Sequence, residues 1–169
     1  MLRNRRVTLQ RVPHLSDARE INKDRFVVLI DLENTVVPYG AATAKASTIV
    51  LLERLTLDFE LGRFIFVTNS SDAELVDLVG QVTGCNVISR AHKPFTSRRR
   101  IAAAAAASAD PGLVLGDQIL TDGILAWRLG CPFIQYQLER TGEPAWPRIM
   151  RAAGNLLAPL FFKEYLMDA

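Results

Sequence analysis

The sequence predicts an α/β protein with a doubly wound, five-stranded parallel sheet, and two observations support this prediction. Short continuous runs of apolar residues, rich in β-branched and aromatic side chains, recur along the chain, as expected for strands covered on both faces. Stretches in which apolar residues recur at helical spacing separate these runs. Strands that alternate with helices are typical of a parallel sheet with right-handed crossovers.

The chain length predicts one domain, because 169 residues suffice for a proper core but not for two domains of ordinary size. Residues 1–25 are polar and contain Pro13, so we expect them to form a leader on the domain surface. Residues 26–169 are predicted to form the domain, including a helical C-terminal segment at 145–168.

The first half of the domain begins with the predicted strand Val27–Ile30, which is wholly apolar. Apolar residues within Ile49–Phe59 then recur at helical spacing, and Gly62 ends this helix. Phe64–Val67 is the second predicted strand. A capping box with Ser71 as N-cap opens the next helix, which runs to about residue 83.

The second half repeats the alternation. Asn86–Ile88 is the third predicted strand, and the alanine run 102–107 belongs to the helix that follows it. Leu113–Leu115 is the fourth strand, Leu120–Leu129 a helix that Gly130 ends, and 132–136 the fifth strand.

The C-terminal segment has apolar residues at helical spacing from Trp146 to Leu157, and Pro159 is predicted to interrupt this helix. Three surfaces could cover these residues: the domain itself, a second copy in a homo-oligomer, or a membrane that the protein contacts peripherally.

Charge and cysteine content give no indication of a nucleic-acid partner, a zinc site or a disulfide framework. The formal charge is +2 and basic residues occur only in short runs, so no nucleic-acid partner is expected. Cys85 and Cys131 lack the spacing of a zinc site or a disulfide framework, which favours a reduced, cytoplasmic location. No apolar stretch reaches the roughly 18 to 20 residues that span a bilayer.

Reactive side chains follow the predicted strands at their carboxyl ends, where open α/β sheets bind ligands. In chain order these residues are Asp31, Glu33, Thr68, Asn69, Lys93, Asp117 and Asp122. Carboxylates crowded into one crevice repel unless a cation lies among them, and a set of oxygen ligands suits Mg²⁺. Magnesium commonly binds phosphate groups, and a carboxylate can attack the phosphorus of such a group. Thr68 and Asn69 could bind the phosphoryl oxygens.

The pattern resembles the haloacid dehalogenase (HAD) superfamily of phosphatases with an aspartate nucleophile. The DxDxT motif corresponds to Asp31–Thr35, the second-motif Thr to Thr68, the third-motif Lys to Lys93, and GDxxxxD to Gly116–Asp122. The four motifs occur in the order of the family. Details of the first and fourth motifs look most like subfamily IIIA, the phosphatidylglycerophosphatase-like branch.

The resemblance implies an enzyme in which Asp31 is the nucleophile, while Thr68 and Lys93 bind phosphate. Magnesium would be held by Asp31, Asp117, the backbone carbonyl of Glu33 and, in support, Asp122. Only 37 positions lead from Asp31 to Thr68 and 25 from there to Lys93, which leaves no room for a cap domain. An open site implies a lipid or macromolecular phosphate as substrate, or closure by another subunit.

Glu33 departs from the family pattern, which has Asp as the general acid and base at this position. The longer side chain moves the carboxyl group by about 1.5 Å, and catalytic geometry tolerates roughly 0.5 Å. Three functions therefore remain open: a working magnesium-dependent phosphatase, a weak or inactive phosphate-binding or protein-interaction module, and a phosphotransferase.

Overall fold

A computed structural model describes residues 6–15, 17, 27–38, 45–59, 64–105, 111–136 and 145–164. The strands of its one sheet are β1 (Val7–Val12), β2 (Val27–Ile30), β3 (Phe64–Val67), β4 (Asn86–Ile88), β5 (Pro111–Gly116), β6 (Phe133–Tyr136) and β7 (Phe162–Glu164). The helices are α1 (Lys45–Asp58), α2 (Ala73–Thr83), α3 (Arg98–Ala105), α4 (Ile124–Leu129) and α5 (Ala145–Phe161).

The α/β class and the parallel sheet are confirmed, but the predicted number of five strands is wrong. The sheet has seven strands in the order β4-β3-β2-β5-β6-β1-β7, and every neighbouring pair runs parallel. The five predicted strands are contiguous, and β1 and β7 extend one edge. Val7–Val12 lies within residues 1–25, whose polar composition predicts a leader on the domain surface, yet Leu9 is fully buried and pairs with Phe133 of β6.

Helices cover both faces of the sheet. Leu52 of α1 and Leu75 of α2 pack in one core cluster with Val28 and Ile30. Ile101, Leu125 and Ala158, which belong to α3, α4 and α5, lie in the other cluster with Val27 and Leu29. Successive residues of β2 thus point to opposite covered faces, which explains why this strand is apolar throughout.

Helix boundaries differ from the predictions in several helices. Helix α1 spans Lys45–Asp58 and ends before Gly62, the predicted stop, which lies outside the described residues. Asp72 caps α2, not Ser71, because the Asp72 carboxylate accepts a hydrogen bond from the Leu75 backbone N–H at 3.1 Å. The helix predicted over 120–129 begins instead as a π-helical turn, Ile119–Gly123, which leads into α4.

The C-terminal segment packs through small residues. Pro159 lies within the last turn of α5 and does not interrupt the helix, and β7 follows directly. The buried residues of α5 are Arg151, Gly154 and Ala158, and a Cβ atom at Gly154 would lie 3.1 Å from Ile119. Five large apolar residues of α5 are exposed: Trp146, Ile149, Leu156, Leu157 and Leu160. Phe161, at the end of the helix, instead packs against the core. Among the described residues, no helix is long and apolar enough to cross a membrane.

Candidate functional site

The candidate site lies at the carboxyl ends of β2, β3 and β5, which are neighbours in the sheet. Asp31, Thr68 and Asp117 directly follow these strands, so the strand ends bring them together. They line a pocket of about 120 Å³, whose other lining residues are Glu33, Asn34, Asn69, Lys93, Gln118, Thr121 and Pro147. Six of the seven site residues predicted from the sequence line this pocket, and the seventh, Asp122, adjoins it through Lys93.

A tight turn after β2 presents Asp31 to the pocket. The Asp31 backbone N–H donates to Leu115 of β5 at 2.8 Å, and the Leu32 carbonyl accepts from both Val36 and Val37. Asn34 adopts a positive φ of 62°, which asparagine tolerates better than most residues. The turn ends the apolar strand and leaves Asp31 only 9% exposed.

Lys93 connects two carboxylates of the site. Its Nζ donates to Oδ1 of Asp31 and to Oδ1 of Asp122, the latter at 2.7 Å. The Asn69 side chain fixes the backbone of Lys93, accepting from its N–H at 2.6 Å and donating to its carbonyl at 3.3 Å. The side-chain amide of Asn69 thus positions Lys93. The contact of Asn69 with phosphate, predicted through backbone N–H groups, stays a prediction.

Asp122 is held by the π-helical turn that follows β5. Its Oδ2 accepts hydrogen bonds from the Gln118 backbone N–H and the Thr121 hydroxyl, each at 3.2 Å. A Cβ atom at Gly116 would lie 2.4 Å from Cγ of Asp122. Only glycine lets the carboxylate approach the strand end this closely, which gives a physical reason for the glycine of the GDxxxxD motif.

Arg151 of α5 holds Asp117, and sequence reasoning did not identify it. Its Nη1 lies 3.1 Å from Oδ2 of Asp117, and both side chains are buried. Gln135 of β6 donates to the Asp117 backbone carbonyl at 3.0 Å. The signal in the sequence was an arginine on the helix face that otherwise holds only small residues, Gly154 and Ala158.

We expect Arg151→Met to lower the free energy of unfolding by about 3 to 5 kcal/mol, because it leaves Asp117 buried without its cation. Chemical denaturation would measure this loss. Arg148→Met is the matched control on the same helix, since Arg148 is exposed, and it should change stability little. Equal stability of the two variants would contradict the structural role of the Arg151–Asp117 pair.

The electrostatics of the site favour a bound cation. Asp31, Asp117 and Asp122 are buried, and each offers a carboxylate oxygen within 4.8 Å of the others. Burial raises the pKa of Asp31 well above its usual value, the charges of Asp122 and Asp117 raise it further, and Lys93 opposes them. Burial alone would lower the pKa of Lys93, but Asp122 and Asp31 outweigh it and raise that pKa.

The charge and the oxygen ligands of the three aspartates also indicate which kind of cation they could bind. Three carboxylates face two cationic side chains, Lys93 and Arg151, so the cluster keeps a net negative charge when all are ionised. Its oxygen ligands suit a hard divalent ion such as Mg²⁺. The carboxyl group of Glu33 does not belong to the cluster, although the half-buried residue lines the same pocket.

Thr68 offers a hydroxyl to the pocket at the end of β3. The residue is 1% exposed, and its Oγ1 accepts a hydrogen bond from the Ser70 backbone N–H at 3.0 Å. A hydroxyl that accepts one hydrogen bond can still donate its own proton. The position therefore suits contact with an anionic oxygen.

Comparison with protein-family models, with curated proteins and with solved structures finds no match for this chain. Two features of the chain itself characterise the site, namely its geometry and the motif pattern. Both concern the same side chains, because Asp31, Glu33, Thr68, Lys93 and Asp117 of the motifs line one pocket and Asp122 adjoins it. Thr35 of the first motif lines a different cavity.

Proposed function

We propose that this protein is a magnesium-dependent phosphatase of the HAD type, which hydrolyses a phosphomonoester through a phosphoaspartyl intermediate on Asp31. One observation supports the proposal above all. Lys93 joins Asp31 to Asp122 within a buried group of three carboxylates at the ends of adjacent strands. A structural ion pair needs only one carboxylate for Lys93. The additional carboxylates of this group would bind a metal ion and attack a phosphoryl group.

In the first step an oxygen of the Asp31 carboxylate attacks phosphorus. The new O–P bond forms as the bond to the leaving oxygen breaks, and the alcohol departs with a proton from a general acid. Lys93 orients Asp31 and offsets charge on the phosphoryl oxygens, while the Thr68 hydroxyl donates to one of them. In the second step water attacks phosphorus, which releases phosphate and restores the aspartate.

Asp31, Asp117 and Asp122 would hold magnesium, together with the backbone carbonyl of Glu33 that the resemblance implies. When bound, the ion neutralises negative charge on the phosphoryl group and on the attacking carboxylate. The protein supplies the geometry. Arg151 and Gln135 fix Asp117, and the π-helical turn fixes Asp122.

Glu33 is the general acid and base in this proposal, since it is a half-buried carboxylic acid that lines the pocket. Its additional methylene group favours a second candidate function, a slow or inactive phosphate-binding or protein-interaction module. A displaced acid would also activate water poorly, so transfer of phosphate to another acceptor is the third candidate. General acid catalysis contributes about 10²- to 10⁴-fold in rate. The position of the Glu33 carboxyl group determines how much of this factor the enzyme keeps.

The substrate is proposed to be a phosphate group on a lipid or a macromolecule. A pocket of about 120 Å³ is far below the roughly 300 to 1,000 Å³ of sites that enclose a small molecule. The phosphoryl group and its cation would enter, and the rest of the substrate would remain outside.

The test is release of phosphate from a panel of phosphomonoesters, including phosphatidylglycerol phosphate, with and without Mg²⁺. We expect magnesium-dependent turnover by the wild type and a lower rate for Glu33→Asp, whose shorter side chain draws the carboxyl group back from substrate. A higher rate in Glu33→Asp would show that Glu33 limits the chemistry and would support the weak or inactive module. Phosphate transfer to an added alcohol faster than to water would support the phosphotransferase.

A further inference from the structure

Helix α5 exposes an apolar face. Trp146 is 67% exposed, Leu156 81% and Leu160 66%, and Ile149 and Leu157 belong to the same face. Burial on α5 is confined to its opposite side, where small residues meet the π-helical turn. An apolar face of this size beside polar surface is typical of an interaction site.

The helices on this side of the sheet are also strongly basic. Within the bounds that the structure gives them, α3, α4 and α5 contain six arginines and no acidic residue. Five of the six are exposed: Arg98, Arg99, Arg100, Arg128 and Arg148. On the other side, α1 and α2 contain two basic and four acidic residues. The charge is thus divided between the two faces, which the overall charge of +2 conceals.

An exposed aromatic residue extends the basic face toward the pocket. Phe95, which is 73% exposed, follows Lys93 by two positions, and the guanidinium of Arg128 lies 5.2 Å from the centre of its ring. Pro147 in the first turn of α5 lines the pocket itself. The first turn of α5 therefore borders the candidate site.

We propose that the face formed by α3, α4 and α5, the docking face, binds the surface of an anionic phospholipid membrane. Apolar side chains of α5 would enter the boundary between headgroups and acyl chains, where tryptophan is favoured. Arginines would meet lipid phosphates, and each basic residue near an anionic membrane adds to the attraction.

Charge and polarity favour this occupant over two others. A second copy of the chain would bring two arginine-rich faces together without acidic partners on these helices, so repulsion would oppose symmetric pairing. A nucleic acid would satisfy the arginines but would leave the leucines of α5 in water. An anionic membrane satisfies both groups.

Flotation with lipid vesicles tests the proposal on the full chain. We expect binding to vesicles of equimolar phosphatidylcholine and phosphatidylglycerol, weaker binding to phosphatidylcholine alone, and a decrease with added salt. The double variant Leu156→Ser/Leu160→Ser should bind at least about tenfold more weakly, because it removes apolar groups that would enter the membrane. Both leucines are exposed, so the fold should tolerate the change.

The matched control is Val50→Ser/Leu57→Ser on α1, where both residues are exposed on the opposite side of the sheet. It should bind vesicles as the wild type does. Equal binding by the wild type and the α5 variant, or an equal loss in the α1 variant, would overturn the proposal. A dimer that the α5 variant converts to a monomer, or tighter binding to single-stranded RNA than to vesicles, would also overturn it.

Membrane docking goes beyond the proposed enzymatic function and does not depend on it. Asp31→Asn, which removes the proposed nucleophile, should float with the mixed vesicles as the wild type does. If Asp31→Asn loses phosphatase activity but still binds vesicles, the result supports the docking face independently of the enzymatic function. Phosphatase activity in solution without vesicle binding would disprove membrane docking and would leave the proposed phosphatase function standing.

Discussion

We expect Asp31→Asn to abolish magnesium-dependent phosphate release, with a loss on the order of 10⁴-fold or more, as found when nucleophiles are removed from enzymes. An amide is a poor nucleophile and cannot form the phosphoaspartyl intermediate. The fold should persist, because the asparagine oxygen can still accept the hydrogen bond that Lys93 donates. The change also removes a negative charge that is unfavourable at this position, because burial and the two neighbouring aspartates raise the pKa of Asp31.

The measurement is phosphate release by purified wild type and variant at equal magnesium concentration, with unfolding followed for both proteins. Asp77→Asn is the matched control, since it makes the same chemical change at an exposed position of α2 and should keep full activity. Trapping of phosphate on the wild-type protein, and not on the variant, would identify the intermediate. Persistent activity of Asp31→Asn would refute the proposed mechanism.

Residues that directly follow a strand could be located from the sequence. Asp31, Thr68 and Asp117 end apolar runs, and parallel strands that are neighbours in a sheet bring such ends together. The prediction needed only the strand ends and not the full strand count. This is why the pocket residues were correctly grouped although β1 and β7 were missed.

Other features depend on contacts between distant segments, which no local pattern contains. Val7–Val12 becomes a strand because β6 and β7 flank it, and its polar Gln10 and Arg11 hide the apolar alternation. Arg151 reaches Asp117 from a helix 34 positions away. The apolar residues of α5 were predicted at helical spacing, but only the packing of Gly154 and Ala158 reveals that they face outward.

We expect Lys93→Met to lower the free energy of unfolding strongly when magnesium is absent. Lys93 is 8% exposed and is the cation that joins Asp31 and Asp122, so the variant leaves two buried carboxylates without it. Breaking a buried pair in this way costs about 3 to 5 kcal/mol. The variant should also lose phosphatase activity, because the charge that opposes the phosphoryl oxygens disappears.

Chemical denaturation with and without Mg²⁺ separates the two roles of Lys93. Magnesium should restore part of the lost stability, since a cation among the three aspartates replaces the missing positive charge, but it should not restore turnover. Lys45→Met is the control, because Lys45 pairs with Glu74 in an exposed salt bridge at 2.8 Å and should matter little to stability. Destabilisation of Lys93→Met that magnesium does not relieve would argue against a metal ion bound by these aspartates, and unchanged stability would argue that the buried cluster is not charged as described.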